Sequence, residues 1–438
     1  MRKSLFIALI VALPAVAWAH IGVPSVRQIR FVGDADPKAW IVMENVGLLL
    51  EEGPGFRWLC DEAITPLPGL QDLARTGGEG RIWTAATRNG VFLTEDDGCS
   101  FAPLPGVLSQ HVIARVDPHP TRADEALLST QTLGVPNDVF RTTDGGRTWT
   151  PAELALPGRV RHLLRSQESP DVVYITHATG ALRSDDGGQS FVPIALGPVE
   201  LGLAGTDFEL LGTRPGPVEA LFAAAVQFPN AHLVRTLDRG VSWTTVHIFE
   251  DIPDSLVFDR AGAQGLMSFP FDGLYRTVDG GETWTKAVSP EESPWMSCLT
   301  RVPTTDRLWS CARRGDQWLL ATSDDFGRTW RQRFGYAFAE ITGSWACDPS
   351  AKTTLLCAEA CDRSRQDCSG NDAGLDGSPL DPADAGRDLD ANGPDVAVIG
   401  PSRQRPEADN CNQSDRPGAP LLVLAAWALW RRPLKNRI

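Results

Sequence analysis

Short apolar runs alternate with polar, glycine-containing turns along most of the chain. Residues 90–93, 138–141 and 273–276 each carry apolar side chains over a few positions, and each run leads at once into such a turn. A second run then begins on an aromatic residue. Runs of this length joined by tight turns are typical of β-hairpins. The pattern therefore predicts an all-β protein built from many short antiparallel strands.

The turns share one sequence, Ser/Thr-x-Asp-x-Gly-x-x-Trp/Phe. It occurs six times, and a degenerate copy at residues 51–58 keeps Gly55 and Trp58 but lacks the aspartate. The aspartate, glycine and aromatic positions of the six complete copies are Asp96, Gly98, Phe101; Asp144, Gly146, Trp149; Asp186, Gly188, Phe191; Asp238, Gly240, Trp243; Asp279, Gly281, Trp284; and Asp325, Gly327, Trp330. The seven aromatic positions fall at 58, 101, 149, 191, 243, 284 and 330.

Each residue type in this motif suits a structural task. An aspartate side chain accepts hydrogen bonds from the N–H groups of its own turn, and the serine or threonine adds another local bond. Glycine permits positive φ, and a large aromatic ring fills the space between sheets. A period in the forties with four short strands indicates β-propeller blades. Seven aromatic positions predict seven blades of four antiparallel strands.

The motif resembles the Asp-box (BNR) repeat of sialidases, Vps10-type sortilins, xyloglucanases and photosystem II assembly-factor-like propellers. The resemblance covers roughly residues 27–362 and implies a seven-bladed ring, as in the assembly-factor-like group; sialidases have six blades and sortilins ten. It also implies that the motif residues are scaffold. We expect strands at residues 26–32 and 40–45, and again at 340–347 and 353–360, with the two ends of the chain sharing one blade.

The ends of the sequence predict an exported protein. Residues 1–19 have a basic start, an apolar core and the small-x-small sequence Ala17-Trp18-Ala19, which is typical of a signal peptide. Residues 20–366 are assigned to the propeller. Residues 367–410 are interpreted as an acidic, disordered linker, because residues 367–409 hold ten acidic and three basic side chains and no aromatic one.

Residues 411–438 are interpreted as an anchoring segment. Cys411 is followed by the ten-residue apolar run 421–430 and two arginines, and that run has about half the length of a membrane-spanning helix. The arrangement resembles a myxobacterial C-terminal sorting signal, which implies attachment to the envelope or outer membrane through Cys411. It departs from that signal because no glycine precedes Cys411 and six residues follow the arginines. The alternative is a weakly membrane-associated tail.

Eight cysteines lie between positions 60 and 368, and an exported protein is expected to oxidise them. Eight cysteines allow 105 connectivities. The expected pairs are Cys60–Cys99, Cys298–Cys311, Cys347–Cys357 and Cys361–Cys368. A partial calcium loop at residues 388–393 lacks the glutamate of a complete one, and no Cys-x-x-Cys occurs. No metal or cofactor is therefore predicted.

Two function classes remain. The net charge of −14 and the pI near 5.0 argue against a nucleic-acid partner. A sialidase-like or other glycoside hydrolase is the enzymatic alternative, but its arginine triad and Tyr–Glu pair are not recognisable, so no catalytic residue is predicted. We expect instead a non-enzymatic, monomeric module at the cell surface, or secreted, that binds or scaffolds an extracellular protein or glycan. The long segments 197–217 and 250–264 are candidate binding loops. The densest positive positions are interpreted as solvated strand residues: Arg159, Arg161, Arg165, Arg313 and Arg314.

Overall fold

The computed structural model describes residues 25–364, except 34–35, 67–68, 78–79, 199–201, 203–206, 289–295, 313–317 and 336–338. Within these residues the strands form seven sheets, which confirms the predicted all-β, seven-bladed propeller of four-stranded antiparallel blades. The predicted signal peptide, acidic linker and Cys411 lie outside the described residues. No described helix is long and apolar enough to cross a membrane.

Each blade is a meander of four strands that follow one another in the chain. Blade 1 contains β1 (Ser25–Val32), β2 (Lys38–Glu44), β3 (Gly47–Glu52) and β4 (Gly55–Cys60). Blade 2 contains β5 (Leu70–Gly77), β6 (Ile82–Thr87), β7 (Gly90–Thr94) and β8 (Ala102–Pro103). Blade 3 contains β9 (Ile113–Pro118), β10 (Ala126–Thr130), β11 (Val139–Thr142) and β12 (Thr150–Pro151). Blade 4 contains β13 (Val160–Arg165), β14 (Val173–His177), β15 (Gly180–Ser184) and β16 (Val192–Ile194).

The remaining blades follow the same order. Blade 5 contains β17 (Phe208–Arg214), β18 (Ala220–Gln227), β19 (Asn230–Thr236) and β20 (Thr244–Phe249). Blade 6 contains β21 (Ser255–Phe258), β22 (Gly265–Phe269), β23 (Gly273–Thr277) and β24 (Thr285–Val288). Blade 7 contains β25 (Met296–Arg301), β26 (Leu308–Ala312), β27 (Leu320–Ser323) and β28 (Arg331–Phe334). A further strand, β29 (Ile341–Ser344), and two helices, α1 (Asp61–Ile64) and α2 (Lys352–Ser364), complete the described elements.

The first strand of every blade faces the axis of the ring. Each first strand contacts the first strand of the next blade, and β25 contacts β1, so the ring is closed around a central channel. In a four-stranded meander, the turns between second and third strands lie on the same face as the connections between blades. We call this the connection face. The turns between third and fourth strands, which carry the Asp boxes, lie on the opposite, box face.

The Asp boxes hold their turns through local hydrogen bonds. In blade 6 the carboxylate of Asp279 accepts bonds from the Thr283 N–H (2.9 Å) and from the hydroxyls of Thr283 (2.6 Å) and Thr277 (2.7 Å). The Thr283 hydroxyl is the largest cause of an Asp279 pKa well below the usual range. Equivalent carboxylate bonds occur at Asp96, Asp144, Asp186, Asp238 and Asp325.

The box glycine lets one blade approach the next. Gly281 has φ +90°, and a Cβ there would lie 2.7 Å from the ring of Phe222 in blade 5. Trp284, three residues later, is buried in a cluster that joins blades 5 and 6. Because a side chain at Gly281 would meet both a backbone penalty and a ring, only glycine allows this contact without displacement.

The C-terminal segment closes the propeller differently from the expectation. As predicted, the two ends share one sheet, but β29 pairs in parallel with β4 as a fifth strand outside blade 1. The strand expected at residues 353–360 is wrong, because that segment belongs to α2. Trp345 follows β29 and packs against Trp83, with ring centroids 5.2 Å apart.

This helix also changes the disulfide pattern. Cys298 is bonded to Cys311, as predicted. The predicted pairs Cys60–Cys99 and Cys347–Cys357 are wrong, because the C-terminal segment folds back onto blades 1 and 2. The structure instead joins Cys60 to Cys357, with Cα atoms 5.3 Å apart, and Cys99 to Cys347, with Cα atoms 5.5 Å apart. Cys368 of the expected Cys361–Cys368 pair lies outside the described residues. Three disulfides are typical of a protein that folds in an oxidising compartment.

Candidate anion-binding site at the channel entrance

A polar cavity of about 420 Å³ opens in the central channel beside blades 1 to 4. Its side chains come mainly from the first strands of these blades. Four arginines contribute to its lining, Arg27, Arg115, Arg159 and Arg161, together with Gln28, Gln71, Asp72, Ser129, Gln131 and His162. We call this the arginine cavity. It brings four described cationic side chains around one space.

β-Bulges place these residues at one level of the ring. The pairing register shifts between Val26 and Gln28 in β1, between Leu70 and Asp72 in β5, and between Val160 and His162 in β13. A bulge leaves one residue outside the ladder and redirects the side chains around it. Arg27, Gln71 and Arg161 occupy the bulged positions. Because every first strand starts at the connection face and these bulges lie near its start, the cavity opens toward that face.

Other blades carry different chemistry at the matching position. The bulge of β17 lies between Leu210 and Gly212, and that of β25 lies between Ser297 and Thr300. The bulged side chains there are Leu211 in blade 5 and Cys298 with Leu299 in blade 7. Leu211 and Leu299 pack into the cores between blades, and Cys298 is bonded to Cys311. Among these five bulges, cationic side chains therefore occur in β1 and β13.

A single carboxylate ties three of the four blades together. Asp72 of blade 2 accepts bonds from Arg30 of blade 1, at 2.5 Å from Nη2 and 3.3 Å from Nε. The same carboxylate accepts the N–H of Val116 in blade 3 at 3.0 Å, and Arg30 also donates to the Val116 carbonyl. Arg30 is therefore the direct ion-pair partner of Asp72, and Asp72 acts on Arg115 only through longer-range attraction.

Arg115 forms no ion pair among the described residues. It is half-buried in the cavity lining, and its Nε atom is buried without a hydrogen-bond acceptor among the described residues. Burial, followed by repulsion from Arg30, lowers the pKa of Arg115. A guanidinium in such surroundings presents directed donors that match a carboxylate, phosphate or sulfate.

The other arginines surround this position with different degrees of pairing. Arg159 is exposed and has no ion pair within the described part of the chain. Arg27 lies 2.6 Å from Glu44, and Arg161 lies 2.9 Å from Glu209. Among the described lining residues, Asp72 is the single carboxylate. The cavity therefore has a net positive charge.

His162 adds hydrogen bonding but not charge. Its Nδ1 lies 2.7 Å from the Thr176 hydroxyl. Desolvation by burial, followed by the nearby Arg161 and Arg115 charges, lowers the pKa of His162 to about 4. The ring is therefore neutral at physiological pH. The cavity can hold an anion through arginine and orient polar groups around it, but its described lining does not assemble the two carboxylic acids of a glycosidase.

Several residues identified in the sequence lie elsewhere. The Asp-box residues are on the box face and do not line the cavity. Arg159 and Arg161 are solvent-exposed, as interpreted from the sequence, and both also line the cavity. For Arg165 the interpretation as a solvated residue is wrong, because its side chain is largely buried in an ion pair with Asp117 at 2.7 Å, outside the cavity. Arg313 and Arg314 are outside the described residues.

Sequence reasoning missed Arg27 and Arg115. What could have revealed them is their position within the blade, because the number of charged residues along the chain does not. Each lies near the start of the first strand of a blade, as Arg161 does. Aligning the blades on their boxes, rather than counting charges along the chain, would have placed the three arginines at one level.

Comparison with known proteins supports the fold. No family model matches the chain, and no curated protein matches it. An ancestral GH74 enzyme is 16% identical, with a TM-score of 0.53 over 72% of this chain and 47% of that one. The GH74 xyloglucanase from Xanthomonas campestris is 15% identical, with a TM-score of 0.55 over 72% of this chain and 55% of that one. The chain thus spans about half the length of these enzymes.

A structure described as YCF48 bound to D1 peptide is 17% identical, with a TM-score of 0.46 over 65% of this chain and 86% of that one. At such low sequence identity these similarities show the fold alone. The chain is a seven-bladed β-propeller structurally similar to the propellers of GH74 enzymes.

Proposed function

We propose that the chain is a binding protein that holds an anionic group of a protein or glycan partner in the arginine cavity. The observation that carries this proposal is Arg115. Its guanidinium lies in a half-buried, polar space, forms no ion pair among the described residues, and has a buried Nε without a hydrogen-bond acceptor there. A ligand carboxylate, sulfate or phosphate would supply the missing acceptor.

The position of the cavity favours recognition. Apart from Arg159 and Gln131, its side chains stand on strands. The Arg30–Asp72–Val116 bonds hold blades 1, 2 and 3 in register. A binding group held by packed strands loses little conformational entropy when its ligand arrives. The cavity is also partly shielded from water, so salt screens its charge less than that of a surface arginine.

The alternative function is glycoside hydrolysis. The similarity to GH74 enzymes supports it only at the level of fold. The one described carboxylate of the cavity, Asp72, is engaged by Arg30 at 2.5 Å. Such an ion pair leaves Asp72 poorly suited to act as a catalytic acid, so we favour binding.

We further propose that the protein is exported by residues 1–19 and attached to the envelope through Cys411. The disulfides support an oxidising location. Cell fractionation of a Cys411→Ala variant tests the attachment, with release into the medium as the expected result. Unchanged retention in the envelope would contradict attachment through Cys411.

The binding proposal is tested with two anionic probes, a heparin-derived oligosaccharide and a polyglutamate peptide, by isothermal titration calorimetry. At least one probe should bind, and Arg115→Gln should weaken that binding by tenfold or more, as expected for a lost charge-assisted hydrogen bond. Arg159→Gln is a second test variant, because an exposed side chain can be replaced without loss of folding. Arg331→Gln, an exposed arginine on the outer strand of blade 7, is the matched control. Equal effects of all three substitutions, or binding of neither probe, would overturn the proposal.

A further inference from the structure

The connection face has a second distinctive region on the other side of the channel. The turn between β18 and β19 presents Phe228, whose side chain is 95% exposed, and the turn between β22 and β23 presents Phe271, which is 65% exposed. Both are turns between second and third strands, so both lie on the connection face. Large exposed aromatic rings on adjacent blades are typical of contact surfaces.

Acidic side chains surround Phe271. Asp251 accepts the Phe271 N–H at 3.0 Å, Asp272 is the next residue in the turn, and Glu250 precedes Asp251. Burial, a hydrogen bond to Asp272 and then the charges of the nearby acids raise the pKa of Tyr275 to about 12. Among the described residues, Lys286 is the cation bonded to this group, through Asp272. We call Phe228, Phe271, Glu250, Asp251 and Asp272 the blade 5–6 patch.

The ring places the arginine cavity and this patch on opposite sides of one face. In a closed ring of seven blades, blades 5 and 6 lie opposite blade 2, which supplies Gln71 and Asp72 to the cavity. The channel entrance lies between them. The connection face is therefore positive and polar at one side, and negative and aromatic at the other.

We propose that this face binds an extended polypeptide segment of an exported partner, with an acidic residue in the arginine cavity and hydrophobic and basic residues on the blade 5–6 patch. The inference rests on the proposed function. It adds the chemical class of the partner and the order of its acidic and basic residues across the face. We choose this occupant by charge complementarity. A single ligand that contacts both the arginine cavity and the blade 5–6 patch must be negatively charged at one end and positively charged at the other.

A polypeptide meets these demands better than a glycan does. Acidic glycans carry the anion that the cavity requires, but they lack the cations and branched apolar groups that the blade 5–6 patch would accept. The connection face also exposes aliphatic side chains, Leu133 and Val135 in the turn between β10 and β11, and Ile252 beside Asp251. Such side chains can pack against the apolar side chains of an extended polypeptide, but they offer no hydrogen-bond partner to a sugar hydroxyl.

The experiment is a selection from a displayed library of random twelve-residue peptides against the full chain. The recovered peptides should share an acidic residue near one end and Lys or Arg with Leu, Ile or Phe near the other. One recovered peptide is then synthesised, and its binding is measured by fluorescence anisotropy. The variants Arg115→Gln and Phe228→Ser/Phe271→Ser should each weaken binding by at least tenfold. Val278→Ser, which replaces an exposed apolar side chain on the box face, is the matched control.

The outcomes separate this inference from the proposed function. Peptides that are acidic throughout, and that lose binding in Arg115→Gln but not in Phe228→Ser/Phe271→Ser, would overturn the polypeptide orientation and leave anion binding standing. Enrichment of no peptide, together with binding of the heparin-derived oligosaccharide, would do the same. Recovered peptides that bind Arg115→Gln as well as the wild-type chain would overturn both.

Discussion

Removing the Cys99–Cys347 disulfide should destabilise the propeller more than removing Cys298–Cys311. The perturbation is the double substitution Cys99→Ala/Cys347→Ala, which leaves no unpaired thiol from that bridge. The bridge joins the Asp-box turn of blade 2 to the segment that follows β29, across 248 residues of sequence. Its contribution follows from how much chain it constrains in the unfolded state.

The magnitude depends on the second bridge, Cys60–Cys357. While that bridge is intact, Cys99–Cys347 closes a loop of about 50 residues, which loop-closure entropy converts to about 4 kcal/mol. Cys298–Cys311 spans 13 residues, for which the same relation predicts about 3 kcal/mol. When both long bridges are removed, the last constraint on a loop of nearly 300 residues also disappears. The combined loss then rises to about 10 kcal/mol, more than the sum of the two single losses.

The assay is urea unfolding of each variant without reductant, followed by tryptophan fluorescence, with a thiol titration of the denatured protein. The expected order of destabilisation is Cys298–Cys311, then either long bridge alone, then both long bridges together. Cys99→Ala/Cys347→Ala should show no more free thiols than the wild-type chain. Two additional thiols would indicate that Cys60 and Cys357 had lost their partners, and would refute the disulfide pattern on which the loop lengths depend.

Three further substitutions test local features. Asp61→Asn should stabilise the protein at pH 7.5 by up to roughly 3 kcal/mol, because burial raises the pKa of Asp61 to about 6 and its Oδ1 has no hydrogen-bond partner among the described residues. The charged carboxylate destabilises the fold above pH 6, so this gain should vanish as the pH falls to about 4; a gain of equal size at pH 7.5 and pH 4 in urea unfolding would contradict the argument. Asp279→Ala should lower stability by about 1–2 kcal/mol through lost turn bonds, whereas Glu95→Ala, which removes an exposed carboxylate paired with Arg147, should leave the melting temperature almost unchanged. Gly281→Ala should destabilise by about 2 kcal/mol or more, since it adds both positive-φ strain and a contact with Phe222; an unchanged melting temperature would show that blade 5 yields easily at this point.

The sequence predicted the blades well because their determinants are local. Each box carries its own hydrogen bonds, as Asp279 does with Thr277 and Thr283, so one turn can be recognised without knowledge of the rest. The α2 segment was missed because a short apolar run does not by itself distinguish a strand from a helix. What holds α2 is distant in sequence: Cys357 is bonded to Cys60, and the Thr353 hydroxyl donates to the Gly98 carbonyl.

The arginine cavity could not be predicted from charge counts. The chain as a whole is acidic, and this average conceals a local cluster of cations. Arg27, Arg115 and Arg161 lie far apart in sequence and meet only because the ring closes and their blades start at one level. The same distance explains the wrong disulfide pairs, since spacing along the chain favours local partners.

The bulge near the start of most first strands has a consequence for how such a protein can change. A bulged residue makes no ladder pair, so its side chain can be replaced without altering the strand beside it. In the first strands of blades 1 to 5 the bulged residues are, in order, Arg27, Gln71, Ala114, Arg161 and Leu211. The Asp boxes that stabilise the blades lie on the box face, whereas the residues that we propose to bind a ligand lie on the connection face. Substitutions at the channel entrance can therefore change the proposed binding surface without changing the turns that stabilise the propeller.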